Sequence, residues 1–252
     1  DSIDTEKLRQ PSISHELAEW CQTHHPNWLS RRYQMLAELI QRDISEAPNI
    51  HQPLLIDSSK GTGSFWLADW LSSNGIHALE ISHEATALND NCGAGEFSPT
   101  QEWTFEEAKN SPHLLINQLP QRESGILVGA ALDGDGDRCL LIETTQSGFK
   151  IIDGDRIADN LLNCITHSGN DWTLAASIES DLSLTTNLNR FPTSVTVSET
   201  AVGDRWLSFK LSNNKIKEFI TNSSLPSVLG VEDSGHIVLA SPHPNQSENW
   251  SL

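Results

Sequence analysis

The sequence predicts an α/β protein of two consecutive domains, each a mixed, mainly parallel sheet flanked by helices. Short apolar runs typical of buried strands alternate with stretches typical of helices along most of the chain, which is the pattern of α/β folds. The length of 252 residues suits two domains of about 100–150 residues each. Eight Trp and seven Phe supply bulky side chains for two cores.

Charge and composition exclude several classes of function. The formal net charge is -18 and no basic stripe is visible, so we expect no binding to nucleic acid. No apolar stretch approaches the ~20 residues that a membrane span needs, so we expect no membrane association. The N-terminus lacks a signal-peptide pattern, and none of the four cysteines forms a CxxC pair. We therefore expect free thiols and a cytoplasmic location. The sequence gives no indication of the oligomeric state.

The first domain is expected at residues 31–153, after a helical, polar lead-in at 1–30. An amphipathic helix opens near Asn27, with Leu29, Tyr33, Leu36 and Ile40 recurring every three or four residues. The next predicted elements are a strand at 54–56, a loop at 57–64, a helix at 65–71 and a strand at 77–81. This order predicts a βαβ unit with parallel strands.

A polar, turn-rich stretch follows at 89–99, and residues 126–132 form the clearest buried strand of the chain. That strand leads into Asp133–Arg138, and apolar sequence resumes at 139–142. Residues 148–152 lead to Asp153-Gly154-Asp155, which predicts a turn and a helix N-cap.

The second domain is expected at residues 154–252 and again alternates strands with helices. The predicted elements are a helix at 156–164, a strand at 174–178, a helix at 181–189, a strand at 194–197, a loop at 201–205 and apolar runs at 227–229 and 237–239. The alternation predicts a second α/β unit.

The sequence DGDGDR places three carboxylates, Asp133, Asp135 and Asp137, at alternate positions separated by glycine. Glycine allows sharp turns at positive φ, so the loop can aim all three side chains at one point. Crowded anions favour a cation between them, and hard oxygen ligands suit Mg²⁺. An EF-hand is excluded because Arg138 and Thr144 occupy the positions of its required Gly and Glu. An ordinary Asp/Gly turn without metal remains the alternative.

With its apolar flanks, this loop resembles the metal signature of the α-D-phosphohexomutase superfamily. Three further segments resemble that family in the same order: NDNCGA from Asn89, TAVGDR from Thr200 and GVEDSGH from Gly230. Residues 57–64 also resemble its D-x-ANGAG turn. The resemblance extends from about residue 30 to the end of the chain and covers the two middle domains of the family.

The resemblance implies roles for individual residues. Asp133, Asp135 and Asp137 would hold Mg²⁺, and Arg138 would lie beside the family's phosphoserine. His236 would lie near the transferring oxygen and assist proton transfer. The residues that would contact or select the sugar are Gly203, Asp204, Arg205, Glu232 and Ser234. The alternatives are a simple turn at 232–235, a structural His236 and a surface ion pair for Arg205.

The chain also departs from the family pattern. The loop that carries the phosphoserine is not found, because Ser14-His15 and Ser82-His83 are both followed by Glu. The C-terminal phosphate-binding domain is also not found. We expect either a fragment or a protein that has lost its outer domains, and we expect this chain alone to be inactive.

The resemblance implies an isomerase that interconverts hexose 1-phosphate and 6-phosphate through a phosphoserine enzyme and a hexose bisphosphate. Glucosamine, glucose and mannose phosphates all remain possible substrates, and TAVGDR favours glucosamine. One alternative is a non-catalytic sugar-phosphate-binding or scaffold protein. Another is a magnesium-dependent phosphatase with Asp133 as its nucleophile.

Overall fold

The structure is a computed structural model that describes residues 27–38, 52–212, 227–243 and 246–251. The first sheet contains β1 Leu54–Asp57, β2 Ala78–Glu80, β3 Glu102–Thr104, β4 Leu127–Leu132, β5 Cys139–Thr144 and β6 Gly148–Ile152. Helix α1 spans residues 27–38. The other helices of this unit are α2 Leu67–Ser73, α3 Phe105–Lys109 and α4 Leu114–Gln118.

The strand order of the first sheet is β2-β1-β4-β5-β6-β3. Strand β1 pairs in parallel with β2 and with β4, which confirms the βαβ unit. The remaining pairings, β4 with β5, β5 with β6 and β6 with β3, are antiparallel. This sheet is therefore mixed with more antiparallel than parallel pairings, because β4, β5 and β6 follow one another through short loops rather than through helical crossovers.

The second sheet contains β7 Trp172–Ser177, β8 Val195–Thr200, β9 Val228–Val231 and β10 Ile237–Leu239, in the order β10-β9-β7-β8. Strand β7 is buried along its whole length and is parallel to both neighbours, as expected for a central strand covered on two faces. The helices are α5 Gly154–Ile165, α6 Leu182–Thr185 and α7 Asp204–Leu211. Strands β11 Ser241–His243 and β12 Gln246–Ser251 form a separate antiparallel pair.

Two α/β units with mixed sheets and flanking helices are thus confirmed, whereas the prediction of mainly parallel pairing is wrong for the first sheet. Each sheet has its own apolar core: Leu115, Ile116 and Ile142 lie in the first, and Leu162 and Trp172 in the second. The last strand of the first sheet ends at Ile152, and α5 of the second unit begins at Gly154 with Asp153 as its N-cap. No helix among the described ranges is long and apolar enough to cross a membrane.

Several predicted elements differ from those observed. The helix predicted at 181–189 ends at Thr185, because Thr186 is extended and Asn187 adopts a left-handed conformation. The loop predicted at 201–205 ends at Gly203, and Asp204 already opens α7. Helix α2 begins at residue 67 rather than 65. Strand β3 and helices α3 and α4 were not predicted. The lead-in at 1–30 lies outside the described residues except for its last four, which belong to α1.

Candidate functional site

The acidic loop at residues 133–138 connects β4 to β5, which are antiparallel neighbours with Leu132 opposite Cys139. It is therefore a hairpin loop held at both ends by the ladder of the first sheet. Gly136 has φ +79°, a conformation in which a side chain would be strained. The sharp turn that the glycines were expected to allow is present.

Asp133 is the buried member of the loop, with 7% of its surface exposed. Its Oδ2 accepts a hydrogen bond from Arg138 Nε at 2.7 Å, and its Oδ1 accepts from the Gly136 amide at 3.1 Å. Burial alone would raise the pKa of Asp133, but the hydrogen bonds and charge of Arg138 outweigh burial and lower it. Asp133 is therefore held as a carboxylate that also fixes the shape of the loop.

Asp135 and Asp137 are exposed, and one ligand atom from each of Asp133, Asp135 and Asp137 lies within 4.8 Å of the others. Burial and the neighbouring carboxylates raise the pKa of Asp137, while His236 opposes that rise. Three carboxylates at this spacing could hold a divalent metal ion. The donor set consists of hard oxygen atoms and so fits Mg²⁺.

The second predicted loop, from Glu232 to His236, connects β9 to β10 at the edge of the second sheet. The Glu232 amide donates to the His236 carbonyl at 3.1 Å, which closes the turn. Gly235 has φ +101° and lies against Cys139, the first residue of β5. The Cys139 amide donates to the Gly235 carbonyl at 3.1 Å. The sugar loop predicted from the sequence thus meets the metal loop directly.

A chain of side-chain contacts joins the two loops. Asp137 Oδ1 lies 3.2 Å from His236 Nε2, and His236 Nδ1 lies 2.9 Å from Glu232 Oε2. The Gly203 amide donates to Glu232 Oε1. Ser234 Oγ lies 3.2 Å from His236 Nδ1. Four of the predicted residues outside the metal loop, namely Gly203, Glu232, Ser234 and His236, are therefore brought together beside Asp137.

Glu232 is 2% exposed, and both of its carboxylate oxygens already contact protein donors or ring nitrogens. The structure therefore places this carboxylate between the start of α7 and His236. The sequence predicted that Glu232 contacts sugar hydroxyls, which stays a prediction.

Asp204 and Arg205 lie in the first turn of α7. Asp204 Oδ1 accepts from the Arg205 amide at 2.7 Å, and the Arg205 guanidinium lies 5.0 Å from the centre of the Trp206 ring. Neither side chain has a recorded contact with the metal loop in the described part of the chain. Their part in choosing the sugar stays a prediction.

Asp57, which was not among the predicted site residues, is fully buried at the end of β1. Its two oxygens accept from the amides of Ser59 at 2.9 Å and Gly93 at 2.8 Å. Burial raises the pKa of Asp57, although these hydrogen bonds oppose the rise. Asp57 therefore ties the D-x-ANGAG-like turn to the NDNCGA segment under the metal loop. A carboxylate directly after a buried strand was the available signal.

A cavity of about 610 Å³ opens beside the metal loop. Asp133, Asp135 and Arg138 line one side of it, and Asn89 and Cys92 of the NDNCGA segment line the other. Its volume falls in the range of small-molecule sites. Fold and site thus define a two-unit α/β protein with an acidic loop that could hold a metal at the mouth of a cavity.

The relatives of this chain are phosphohexomutases. A phosphoglucosamine mutase from Corynebacterium aurimucosum is 27% identical over 219 residues, covering 85% of this chain and 40% of that protein. One from Arthrobacter sp. is 30% identical over 189 residues, covering 74% of this chain and 35% of that protein. The chain thus spans well under half the length of these relatives. No protein-family model matches it.

Solved structures with a similar fold also come from this class of enzyme. One is the apo form of N-acetylglucosamine-phosphate mutase, a member of the α-D-phosphohexomutase superfamily. The match covers 82% of this chain and 43% of that protein, with a TM-score of 0.54 and 18% identity. An Aspergillus fumigatus N-acetylphosphoglucosamine mutase complexed with glucose 1,6-bisphosphate matches 84% of this chain and 37% of its own with a TM-score of 0.52 and 19% identity. The resemblance to the α-D-phosphohexomutase superfamily is confirmed.

Proposed function

We propose that this chain carries the metal-binding and sugar-binding parts of a phosphohexomutase. The reaction would interconvert a hexose 1-phosphate and a hexose 6-phosphate through a phosphoserine enzyme and a hexose bisphosphate. Glucosamine phosphate is the favoured substrate, because the curated relatives are phosphoglucosamine mutases. The metal-binding domain would span 31–153 and the sugar-binding domain 154–252.

One observation carries the proposal: the metal loop and the sugar loop are neighbours, joined through Asp137, His236 and Glu232. Asp137 and His236 are separated by 99 positions and belong to loops of different sheets. An ordinary Asp/Gly turn would not require a histidine and a buried carboxylate of another sheet beside it. A site that positions a phosphorylated sugar against a metal ion would require the two loops to lie side by side.

Each side chain can be given a part in this function. Asp133, Asp135 and Asp137 would hold Mg²⁺, which supplies positive charge to offset the phosphoryl group. Arg138, 35% exposed at its side chain, can present guanidinium donors to a phosphate while Asp133 orients it. His236 would accept or return a proton at a sugar oxygen, and its contact with Glu232 at 2.9 Å supports this part by fixing the ring. Gly203, Asp204, Arg205 and Ser234 would contact the sugar.

The phosphatase alternative is less well supported. Asp133 is buried and already accepts hydrogen bonds from Arg138 and Gly136, so it is poorly placed to attack phosphorus.

The described cysteines, Cys92, Cys139 and Cys164, carry free thiols. That state agrees with the proposed cytoplasmic location.

The test is a mutase assay on the product of the complete coding sequence, with several hexose 1-phosphates and with or without Mg²⁺. We expect turnover that requires Mg²⁺ and is fastest with glucosamine 1-phosphate. The double variant D133A/D135A should reduce kcat/KM by more than about a hundredfold, since even supporting residues of metal sites cost 10–100-fold.

The exposed Asp171→Ala substitution serves as the matched control and should leave turnover unchanged. Full activity of the double variant would contradict the metal assignment. Tight binding of hexose phosphate without turnover would favour the scaffold alternative. Release of inorganic phosphate without isomerisation would favour the phosphatase.

A further inference from the structure

The turn that follows β1 contacts the backbone of the metal loop through Thr62. The Thr62 amide donates to the Gly134 carbonyl at 2.9 Å. The Thr62 hydroxyl donates to the Asp135 carbonyl at 2.8 Å. These two hydrogen bonds reach consecutive peptides between the first and third carboxylates of the loop.

Asp135 depends on this contact more than the other two carboxylates do. It is exposed and stands between Gly134 and Gly136, the residues with the greatest backbone freedom. Asp133 is fixed by Arg138, and Asp137 by His236. In the described part of the chain, the Thr62 hydroxyl is the one recorded hydrogen-bond partner of Asp135.

The turn is itself held in place, so it can act as a support. Trp66 Nε1 donates to the Thr62 carbonyl at 2.8 Å, and the amide of Leu67, the first residue of α2, donates to the Gly63 carbonyl at 2.9 Å. Gly61 lies so close to the Gly134 carbonyl that a Cβ at residue 61 would overlap it. The turn therefore packs its backbone directly against the metal loop.

We propose that Thr62 is a positioning residue for the metal site: its hydroxyl holds the Asp135 peptide so that the Asp135 carboxylate faces those of Asp133 and Asp137. The inference rests on the metal binding proposed above. The D-x-ANGAG turn that this segment resembles has alanine at the corresponding position. Alanine cannot donate such a bond, so the contact is a feature of this chain. Supporting groups that orient ligands tune metal affinity in this way.

The experiment measures the dissociation constant for Mg²⁺ by titration calorimetry on the whole chain, with Mn²⁺ as a paramagnetic probe of the same site. Thr62→Val keeps the shape of the side chain but removes the donor, and we expect binding weaker by roughly threefold to tenfold. Thr62→Ser keeps the hydroxyl and should bind within about twofold of the unsubstituted chain. The urea midpoint of each variant is measured in parallel.

A second pair of variants leaves Thr62 unchanged and tests the backbone contact between the turn and the metal loop. Gly61→Ala should displace the Gly134 peptide and weaken Mg²⁺ binding by more than about tenfold. Gly95→Ala is the matched control, because a Cβ at residue 95 meets nothing within 4 Å. We expect its affinity for Mg²⁺ to be unchanged.

The outcomes separate the two proposals. Unchanged Mg²⁺ affinity in Thr62→Val overturns the positioning role. This holds even if the urea midpoint of Thr62→Val falls, because the hydroxyl would then contribute only to stability. Equal losses in Thr62→Val and Thr62→Ser overturn it too. If the unsubstituted chain binds Mg²⁺ no better than D133A/D135A, the metal assignment fails and the inference fails with it.

Discussion

Buried carboxylates act differently at different positions of this molecule. Asp133 and Glu232 have hydrogen-bond partners at both oxygens, so each organises a loop. Asp155, in the first turn of α5, is 3% exposed and accepts from the Asp181 amide at 2.6 Å, but its Oδ1 has no recorded partner among the described residues. A buried oxygen without a donor makes the ionised form costly.

Asp155→Asn is expected to increase stability at neutral pH. Burial raises the pKa of Asp155, the Asp181 amide and the Ser180 hydroxyl oppose the rise, and the negative charges of Asp153 and Asp233 add to it. A carboxyl whose pKa is raised on folding favours the folded state below its unfolded pKa, and this contribution is lost as pH rises through the folded value. The variant should therefore exceed the wild type in free energy of unfolding at pH 8, with the difference shrinking towards pH 4.

Urea unfolding at both pH values measures this difference. Asp171→Asn, at an exposed carboxylate, should change the free energy of unfolding by less than about 0.5 kcal/mol at either pH. A stability difference for Asp155→Asn that grows as the pH falls would contradict the expected sign.

At the scale of elements, local sequence signals explain much but not all of the structure. Strand β4, the acidic loop and β5 could be predicted because an apolar run, alternating glycines and a second apolar run are contiguous. Strand β3 has only three residues, and its conformation depends on pairing with β6, more than forty positions away. Asn187 ends a predicted helix by a left-handed conformation that many residue types in the same pattern would not adopt.

The short helix α3 shows how a local signal can stabilise an element that periodicity cannot reveal. Thr104 Oγ1 accepts from the Glu107 amide at 3.2 Å, and the Glu107 carboxylate accepts from the Thr104 amide at 2.8 Å. This reciprocal pair is a capping box. Five residues would not form a stable helix without such a cap and the packing of Ala108.

Thr104→Ala should lower the free energy of unfolding by about 1 kcal/mol, because it leaves the Glu107 amide without its side-chain acceptor. Thr100→Ala, at an exposed turn residue of the same segment, should change it by less than about 0.5 kcal/mol. Chemical denaturation of the two variants under one condition compares them directly. Equal effects would show that the cap contributes nothing specific.

At the scale of the whole molecule, the loop at 232–236 lies between the two units. On one side the Cys139 amide donates to the Gly235 carbonyl at 3.1 Å, and on the other the Gly154 amide donates to the Asp233 carbonyl at 3.0 Å. The resemblance indicated which loops belong to the candidate site. The contact between Asp137 and His236, separated by 99 positions, could not be derived from spacing, because it depends on how the two sheets pack.

Gly235→Ala should destabilise the protein much more than Gly169→Ala. Both glycines have positive φ, +101° and +84°. A Cβ at residue 169 meets nothing within 4 Å, whereas one at residue 235 would lie 2.5 Å from the Cys139 carbonyl oxygen. We expect a loss of about 1–2 kcal/mol for Gly169→Ala, from backbone conformation alone, and at least about 3 kcal/mol for Gly235→Ala.

Urea unfolding followed by tryptophan fluorescence measures both losses. If the two glycine variants lose the same stability, the contact of Gly235 with β5 does not hold the units together.

The backbone bridge between Arg138 and His236 has a geometric consequence. It joins a loop of one sheet to a loop of the other by main-chain groups, so the distance between the acidic loop and His236 is fixed by the backbone. Under the function proposed above, the two loops would keep their separation while a hexose bisphosphate reorients between them. Exchange of its two phosphorylated ends would then come from rotation of the ligand and not from movement of the loops.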